Sequence, residues 1–392
     1  MALECGLDEA HFVRFHLPNL AGSLMQPLIA DMSWFAYISP TEPCLLHDVL
    51  IAPTHSLTNQ IHDHYLPGLI HSNPSLPSSD HLITARNVLY NLDGLGIAWY
   101  TSSNSDFELG STGKSSDGSL KEGLRPASYK TIQPPGKDAN FRSICANTET
   151  RVLMAHIRAA SGTAITPVNN HPFLFGRHSF MHNGVVSDFS VIKIHLCQKL
   201  SRVAYAAVQG GTDSEHMAAL YMSFLTNFSE DERAFEREFS VEEMVGAMHA
   251  MVAAVVELQI ALLGPRAKPN SLNLCTTDGV KMLAYRFRNH ATQEPPSLYY
   301  STTAGTTLNR KFPGHPDGNE RPDGSERVER VGLRAVEDHG KHIIIASEPS
   351  TYKESEWTLI PKNSYVVASQ EDGVVVKAIP YQEEWNTEDP MA

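Results

Sequence analysis

The sequence predicts an α+β fold. Two helical segments stand between two groups of strands. A hairpin signal, Thr277-Asp278-Gly279, joins two of those strands. No internal repeat at solenoid periods competes with this layout, and 392 residues provide ample core.

Residues 1–31 show no clear period and contain the turn formers Pro18 and Gly22. Trp34-Phe35-Ala36-Tyr37-Ile38-Ser39 reads as a buried strand stopped by Pro40. Thr41 is placed to cap a short helix over Glu42 to Leu50, which Pro53 ends. A second strand, Leu95 to Tyr100, is entered through an Asp93-Gly94 turn. Residues 101–123 are rich in Ser and Gly and read as a mobile loop. Arg151 to Arg158 is a strand, and Phe173 to Phe180 another, crossed by a turn at Gly176-Arg177. Thr212-Asp213 opens a helix to about Leu225, with Met217, Leu220, Tyr221 and Phe224 at helical spacing. Ser240 and Glu243 form a capping box for a longer helix that runs to about Leu262. Strands follow at Ser271 to Cys275 and Val280 to Arg288. The chain closes with strands at His342 to Ala346, Trp357 to Ile360, Tyr365 to Ala368 and Val374 to Ile379. The expected organisation is an extension, 1–33, before one domain, 34–392, with mobile insertions at 101–123 and 311–340.

Composition excludes several classes of function. Net charge is −13, from 44 acidic against 31 basic residues, a balance that repels phosphate backbones. The densest basic stretch, Arg286 to Arg288, holds only two arginines, so no nucleic-acid partner is expected. No apolar run approaches the length of a membrane span, so no membrane partner is expected. Glu4, Asp8 and Glu9 sit where a signal peptide would be basic. Cys5, Cys44, Cys145, Cys197 and Cys275 are scattered and lack metal-ligand spacing. That suits a reducing compartment, with the cytosol as the default. His47, His55, His62 and His64 lie close in sequence, but no acidic or cysteine partners complete a zinc set. No metal or cofactor is expected.

Four segments carry the chemistry. They are Asn91-Leu92-Asp93-Gly94-Leu95-Gly96 running into Trp99-Tyr100, and His156-Ile157-Arg158-Ala159-Ala160-Ser161. The third runs from Asn169-Asn170-His171-Pro172-Phe173 to His182-Asn183-Gly184, and the fourth is Gly211-Thr212-Asp213-Ser214-Glu215. Arg158 precedes His171 by 13 residues and Asn183 follows it by 12. In order and spacing these segments resemble the glutaminase domain of class II glutamine amidotransferases, a branch of the N-terminal nucleophile hydrolases. Ile345-Ala346-Ser347-Glu348-Pro349 also looks familial, and the resemblance covers roughly residues 34 to 380. It implies a four-layer αββα sandwich, two antiparallel sheets face to face with helices outside, which periodicity alone does not identify.

The resemblance assigns roles that the residue types can fill. Amide hydrolysis passes through a tetrahedral oxyanion that needs fixed donors; in the family an asparagine side chain and the next glycine N–H supply them, here Asn183 and Gly184. The plain alternative is an Asn-Gly turn joining two strands. Arg158 can grip a glutamyl carboxylate bidentately, against the alternative of a surface ion pair. Asp213, at a helix start, can receive the ammonium, or simply cap the helix. His171 resembles the family's pocket histidine, with a satisfied structural histidine as the rival. Ser161 lines the same pocket or is an ordinary strand-end hydroxyl. Asp93 and Gly94 shape a turn nearby.

One family feature is missing. Relatives begin with a cysteine just before the first strand, whose free amine activates its own thiol. Here Asp31-Met32-Ser33 precedes Trp34, and in ungapped register Met32 occupies the cysteine position. Three readings compete: a non-catalytic chain that binds γ-glutamyl ligands; an alternative first exon whose product begins with cysteine; or a start at Met32 that exposes Ser33, which lies one residue too close to the strand. The second ranks ahead of the first, and the third last. Cys44 and Cys5 are poor replacements, the first inside a predicted helix and without a free amine.

The opening Trp34 to Cys44 and the stretch His55-Ser56-Leu57-Thr58-Asn59-Gln60 resemble the fungal stand-alone amidotransferase subunit of an alternative glutathione-degradation complex. That resemblance implies hydrolysis of a γ-glutamyl amide: glutathione to glutamate and cysteinyl-glycine, or glutamine to glutamate and ammonia. A peptidase-like protein is the implied partner. The γ-glutamyl hydrolase of ergothioneine synthesis, and a non-catalytic binding or scaffold subunit, are the alternatives.

Overall fold

The structure is a computed structural model that describes residues 33–60, 93–107, 123–158, 163–318, 332–369 and 373–387. Met32, Ser161, His62 and His64 lie outside the described residues, as do residues 1–31 of the expected extension and residues 108–122 and 319–331 of the two expected insertions.

The chain opens with β1 (Ser33–Ile38), β2 (Cys44–Leu45), α1 (Leu46–Leu50), β3 (Leu95–Thr101), α2 (Ser103–Asp106) and β4 (Arg125–Thr131). Next come α3 (Ala139–Asn147), β5 (Glu149–Thr150), β6 (Val152–Ile157), β7 (Phe173–Phe175) and β8 (His178–Val185). Four helices follow: α4 (Phe189–Cys197), α5 (Arg202–Ala207), α6 (Asp213–Leu225) and α7 (Val241–Leu263). The last third holds β9 (Ser271–Thr277), β10 (Met282–Arg288), β11 (Tyr299–Ser301), α8 (Ala304–Thr307), β12 (Ile343–Ala346), β13 (Thr358–Leu359), β14 (Ser364–Ser369) and β15 (Gly373–Ala378).

Among the described residues these strands make a seven-stranded sheet, β13-β11-β12-β1-β6-β3-β4, and a six-stranded sheet, β15-β14-β10-β9-β8-β7. Their pairings are antiparallel. Side-chain alternation produces the layers. Along β1, Trp34, Ala36 and Ile38 join Met181, Cys275 and Ala284 in a cluster between the sheets. Phe35 and Tyr37 face the other way, onto Leu46 of α1 and Phe141 of α3. On the far face of the second sheet, Met217 and Leu220 of α6 and Met248 and Val252 of α7 pack with Leu274 and Tyr285. The result is helices, sheet, sheet, helices: the expected αββα sandwich.

The expected helix starts hold. Thr212 Oγ1 accepts the Glu215 N–H at 3.1 Å, and Ser240 and Glu243 form the reciprocal box at the head of α7. Thr41 caps nothing. Cys44–Leu45 pairs instead with Glu149–Thr150, and helix begins only at Leu46 without a side-chain cap, a case of tertiary pairing overriding local capping. The expected loop 101–123 begins with the end of β3 and the short α2. Within the expected exposed insertion 311–340, Phe312 and Asp317 are buried, and Asp317 accepts the Thr54 N–H at 2.6 Å. Among the described residues one helical stretch, Val241–Arg266, is long and apolar enough by length and composition to cross a membrane, where the sequence predicts no such run. Its Met244, Met248, Met251, Val252 and Val255 belong to the core cluster under the second sheet.

Candidate active site

The site lies where β1 begins, β6 ends and β8 approaches its end. Ser33 pairs with Ile157, so the start of β1 lies beside the chain that leads into Arg158. The Arg158 N–H donates to Gly94 O at 2.8 Å, which anchors the Asp93-Gly94 turn at the same place. Ser33 is on the face of Phe35 and Tyr37 by alternation, not on the inter-sheet face that Trp34 shares with its neighbours.

Arg158 is buried, not a surface ion pair. Its Nη1 donates to Ala164 O at 3.1 Å and its Nη2 to Thr163 Oγ1. Asn169 Nδ2 donates to the same Ala164 carbonyl at 2.8 Å. Burial pushes the guanidinium down from its ordinary value, while the carboxylates of Asp93 and Asp213 act against that shift. Among the described residues two of its five N–H groups are engaged, which leaves three to grip a ligand carboxylate.

Asp213 is the first residue of α6, and the capping role belongs to Thr212. Its Oδ2 accepts the Val186 N–H at 3.0 Å and its Oδ1 the Ser214 N–H at 2.8 Å. Oδ1 also accepts the Ser214 hydroxyl at 3.2 Å, so Oδ2 is the oxygen that retains capacity for a further donor such as an ammonium. The bond to Val186 also ties the head of α6 to the segment that follows Asn183 and Gly184.

Asn183 and Gly184 lie inside β8, so they are not the Asn-Gly turn that the sequence also allowed. Gly184 has φ +134°, and a Cβ there would overlap the carbonyl oxygen of Ser271 on β9. Glycine is therefore demanded by the close approach of the two strands. β7 pairs with β8 only as far as Phe180, leaving the edge beside Asn183 without a strand among the described residues. Asn183 Nδ2 donates to Ser347 Oγ at 3.4 Å, and the Trp34 N–H donates to the same oxygen at 3.1 Å. Ser347 thus joins the oxyanion candidate to the start of β1. Sequence reasoning assigned it no role; the only signal was its place in Ser347-Glu348-Pro349.

His171 is buried against His156, ring centroids 4.0 Å apart, and meets Phe173 edge-on at 4.7 Å. Neither ring nitrogen has a hydrogen-bond partner among the described residues, so it is not a satisfied structural histidine. Burial, with His156, His182, Lys130 and Arg158 nearby, holds it well below its ordinary value. His156, also buried, is pushed down to about 3; its Nε2 lies 3.1 Å from His182 O. No group of His, Cys, Asp or Glu among the described residues could hold a metal ion. Cys44 is buried, and burial drives its thiol far above the ordinary range, so it supplies no ready nucleophile.

No protein-family model matches the chain. It is 27% identical over 363 residues to the probable glutamine amidotransferase DUG3 of Saccharomyces cerevisiae, covering 92% of this chain and 87% of that one. Its structure superimposes on a glutamine aminotransferase class-II domain protein from Silicibacter pomeroyi with a TM-score of 0.50. That match covers 88% of this chain and 99% of the other, at 18% identity, and speaks to fold alone. In fold, and in sequence along nearly its whole length, the chain is similar to glutamine amidotransferases.

Proposed function

We propose that this site binds the γ-glutamyl end of an amide and belongs to a γ-glutamyl amide hydrolase. The observation that carries the reading is a buried, tethered guanidinium with three N–H groups to spare, set with the Asp213 carboxylate by Asn183. Arg158 takes the α-carboxylate, Asp213 the α-ammonium, and the Asn183 amide with the Gly184 N–H faces the oxyanion of the attacked carbonyl. The similarity to a probable glutamine amidotransferase supports this assignment. Glutathione, split to glutamate and cysteinyl-glycine, is the substrate we favour, with a peptidase-like protein as partner.

Attack on the carbonyl requires a nucleophile at the start of β1, and in this sequence position 32 is methionine. A thioether has no proton to lose and gives no useful acyl intermediate. The chain as written therefore favours a second reading, binding without turnover, and hydrolysis belongs to a product with cysteine at that position. Calorimetric titration of the full chain with glutamine and glutathione, alongside an assay for released glutamate, tests both. Binding without release supports the second reading, and release supports hydrolysis by this chain. Absence of binding to either compound refutes the γ-glutamyl site.

A further inference from the structure

Beside the glutamyl pocket lies a group of polar atoms that the assigned roles leave unused. Lys130 on β4 stands directly across from Gly96 on β3. A Cβ on Gly96 would overlap the His171 carbonyl oxygen, so His171 lies against that glycine and next to the lysine. The Lys130 ammonium is 5.1 Å from the centre of the Phe173 ring. It has no ion-pair or hydrogen-bond partner among the described residues, and burial lowers it to about 8. The Glu215 carboxylate acts on it electrostatically, yet both oxygens of that carboxylate are held by the Gln209 and Gly210 N–H groups, at 2.9 and 2.6 Å. Around the lysine, His171 Nδ1 and Nε2, His156 Nδ1 and Asn170 Oδ1 are buried without partners among the described residues. Orphaned buried polar atoms are rare, and a cluster of them beside the proposed glutamyl site calls for an explanation.

We propose that Lys130, with an N–H of the His171 imidazole, receives a carboxylate on the leaving-group side of the substrate. The proposal rests on the γ-glutamyl reading above and deepens it: the substrate is a γ-glutamyl peptide, not glutamine. Lys130 sits two strands away from β6, which leads into Arg158, a separation of about 10 Å. The ammonia released from glutamine cannot span that gap, whereas two residues, at about 3.5 Å each, reach about 7 Å of the way. The long, partly buried lysine side chain covers the remainder.

The test is calorimetric titration of the full chain and its K130Q and K130R variants with three probes. These are glutathione, glutathione esterified on its glycine carboxylate, and glutamine. Expected is about a ten-fold loss of glutathione affinity in K130Q, recovery in K130R and no change for glutamine. The ester should bind the unaltered chain about as weakly as glutathione binds K130Q. Equal glutathione affinity in K130Q and the unaltered chain, or equal affinity for the ester and the acid, overturns the Lys130 site while glutamine binding keeps the γ-glutamyl reading intact. If the unaltered chain binds neither glutamine nor glutathione, the γ-glutamyl reading itself fails, and this site fails with it.

Discussion

Replacing Arg158 with lysine isolates geometry from charge. The guanidinium spends two N–H groups on Ala164 O and Thr163 Oγ1 and keeps three in a planar fork. A lysine ammonium has only three N–H groups in all, on a compact head. If it satisfies both buried acceptors, only one N–H remains for the ligand, and even two free N–H groups on a tetrahedral head do not form the parallel fork that a carboxylate needs. Losing one charge-assisted hydrogen bond costs about 1.5–3 kcal/mol, or roughly a ten- to hundred-fold weaker Kd for glutamine. Because the positive charge remains, the nearby Asp93 and Asp213 carboxylates keep their counter-ion, and the fold should be little disturbed. Calorimetric titration near neutral pH gives the affinity, and thermal unfolding checks that the variant is folded. An affinity within about two-fold of the unaltered chain would show that Arg158 does not grip the ligand.

Four further outcomes are expected. Gly184→Ala should destabilise the fold by more than about 3 kcal/mol, because both φ +134° and the Ser271 carbonyl oppose a Cβ; urea unfolding reads this, and a mild effect contradicts the packing of β8 on β9. Ser347→Ala should cost about 1–3 kcal/mol by leaving the buried Trp34 N–H unpaired, and unchanged unfolding would remove Ser347 from the site. His156 is held neutral down to about 3, while its unfolded value is about 6.5. Between those values the unfolded chain binds a proton that the folded chain does not, so the contribution is complete above about pH 6.5. It is lost on acidification by about 1.4 kcal/mol per pH unit until the folded value is passed. His156→Gln should flatten that part of the stability profile, and an unaltered slope argues against a buried neutral imidazole. Finally, a chain shortened to begin at position 32, with Met32→Cys as its first residue, should release glutamate in a reaction blocked by thiol alkylation; intact binding with no release would place the nucleophile elsewhere.

The parts of the site carried by short contiguous motifs were legible in the sequence. Arg158, Asn183, Gly184 and Asp213 each sit in a segment of a few residues whose order and spacing mark it. Ser347 was not, because its bond to the Trp34 N–H links residues 313 positions apart. Strand β4, Arg-Pro-Ala-Ser-Tyr-Lys-Thr, was missed because an edge strand needs no strict alternation, and its proline reads as a breaker. Helix α3 was missed as a short segment whose only clear marker is Asp138 Oδ1 accepting the Phe141 N–H at 2.9 Å. The layered arrangement itself came from the resemblance, since antiparallel strands buried on both faces blur the two-residue period on which strand assignment depends.

The long-range pairing of β1 with β12 also sets an order of events during synthesis. A ribosome extends the chain from its N-terminus at a finite rate, so β1 emerges long before the Ile343–Ala346 strand that flanks it, and before Ser347. Until that segment emerges, the first strand lacks one of its two neighbours, and the cleft lacks the hydroxyl beside Asn183. An enzyme that trims or modifies the chain ahead of Trp34 during synthesis therefore meets it while the cleft is still open on one side.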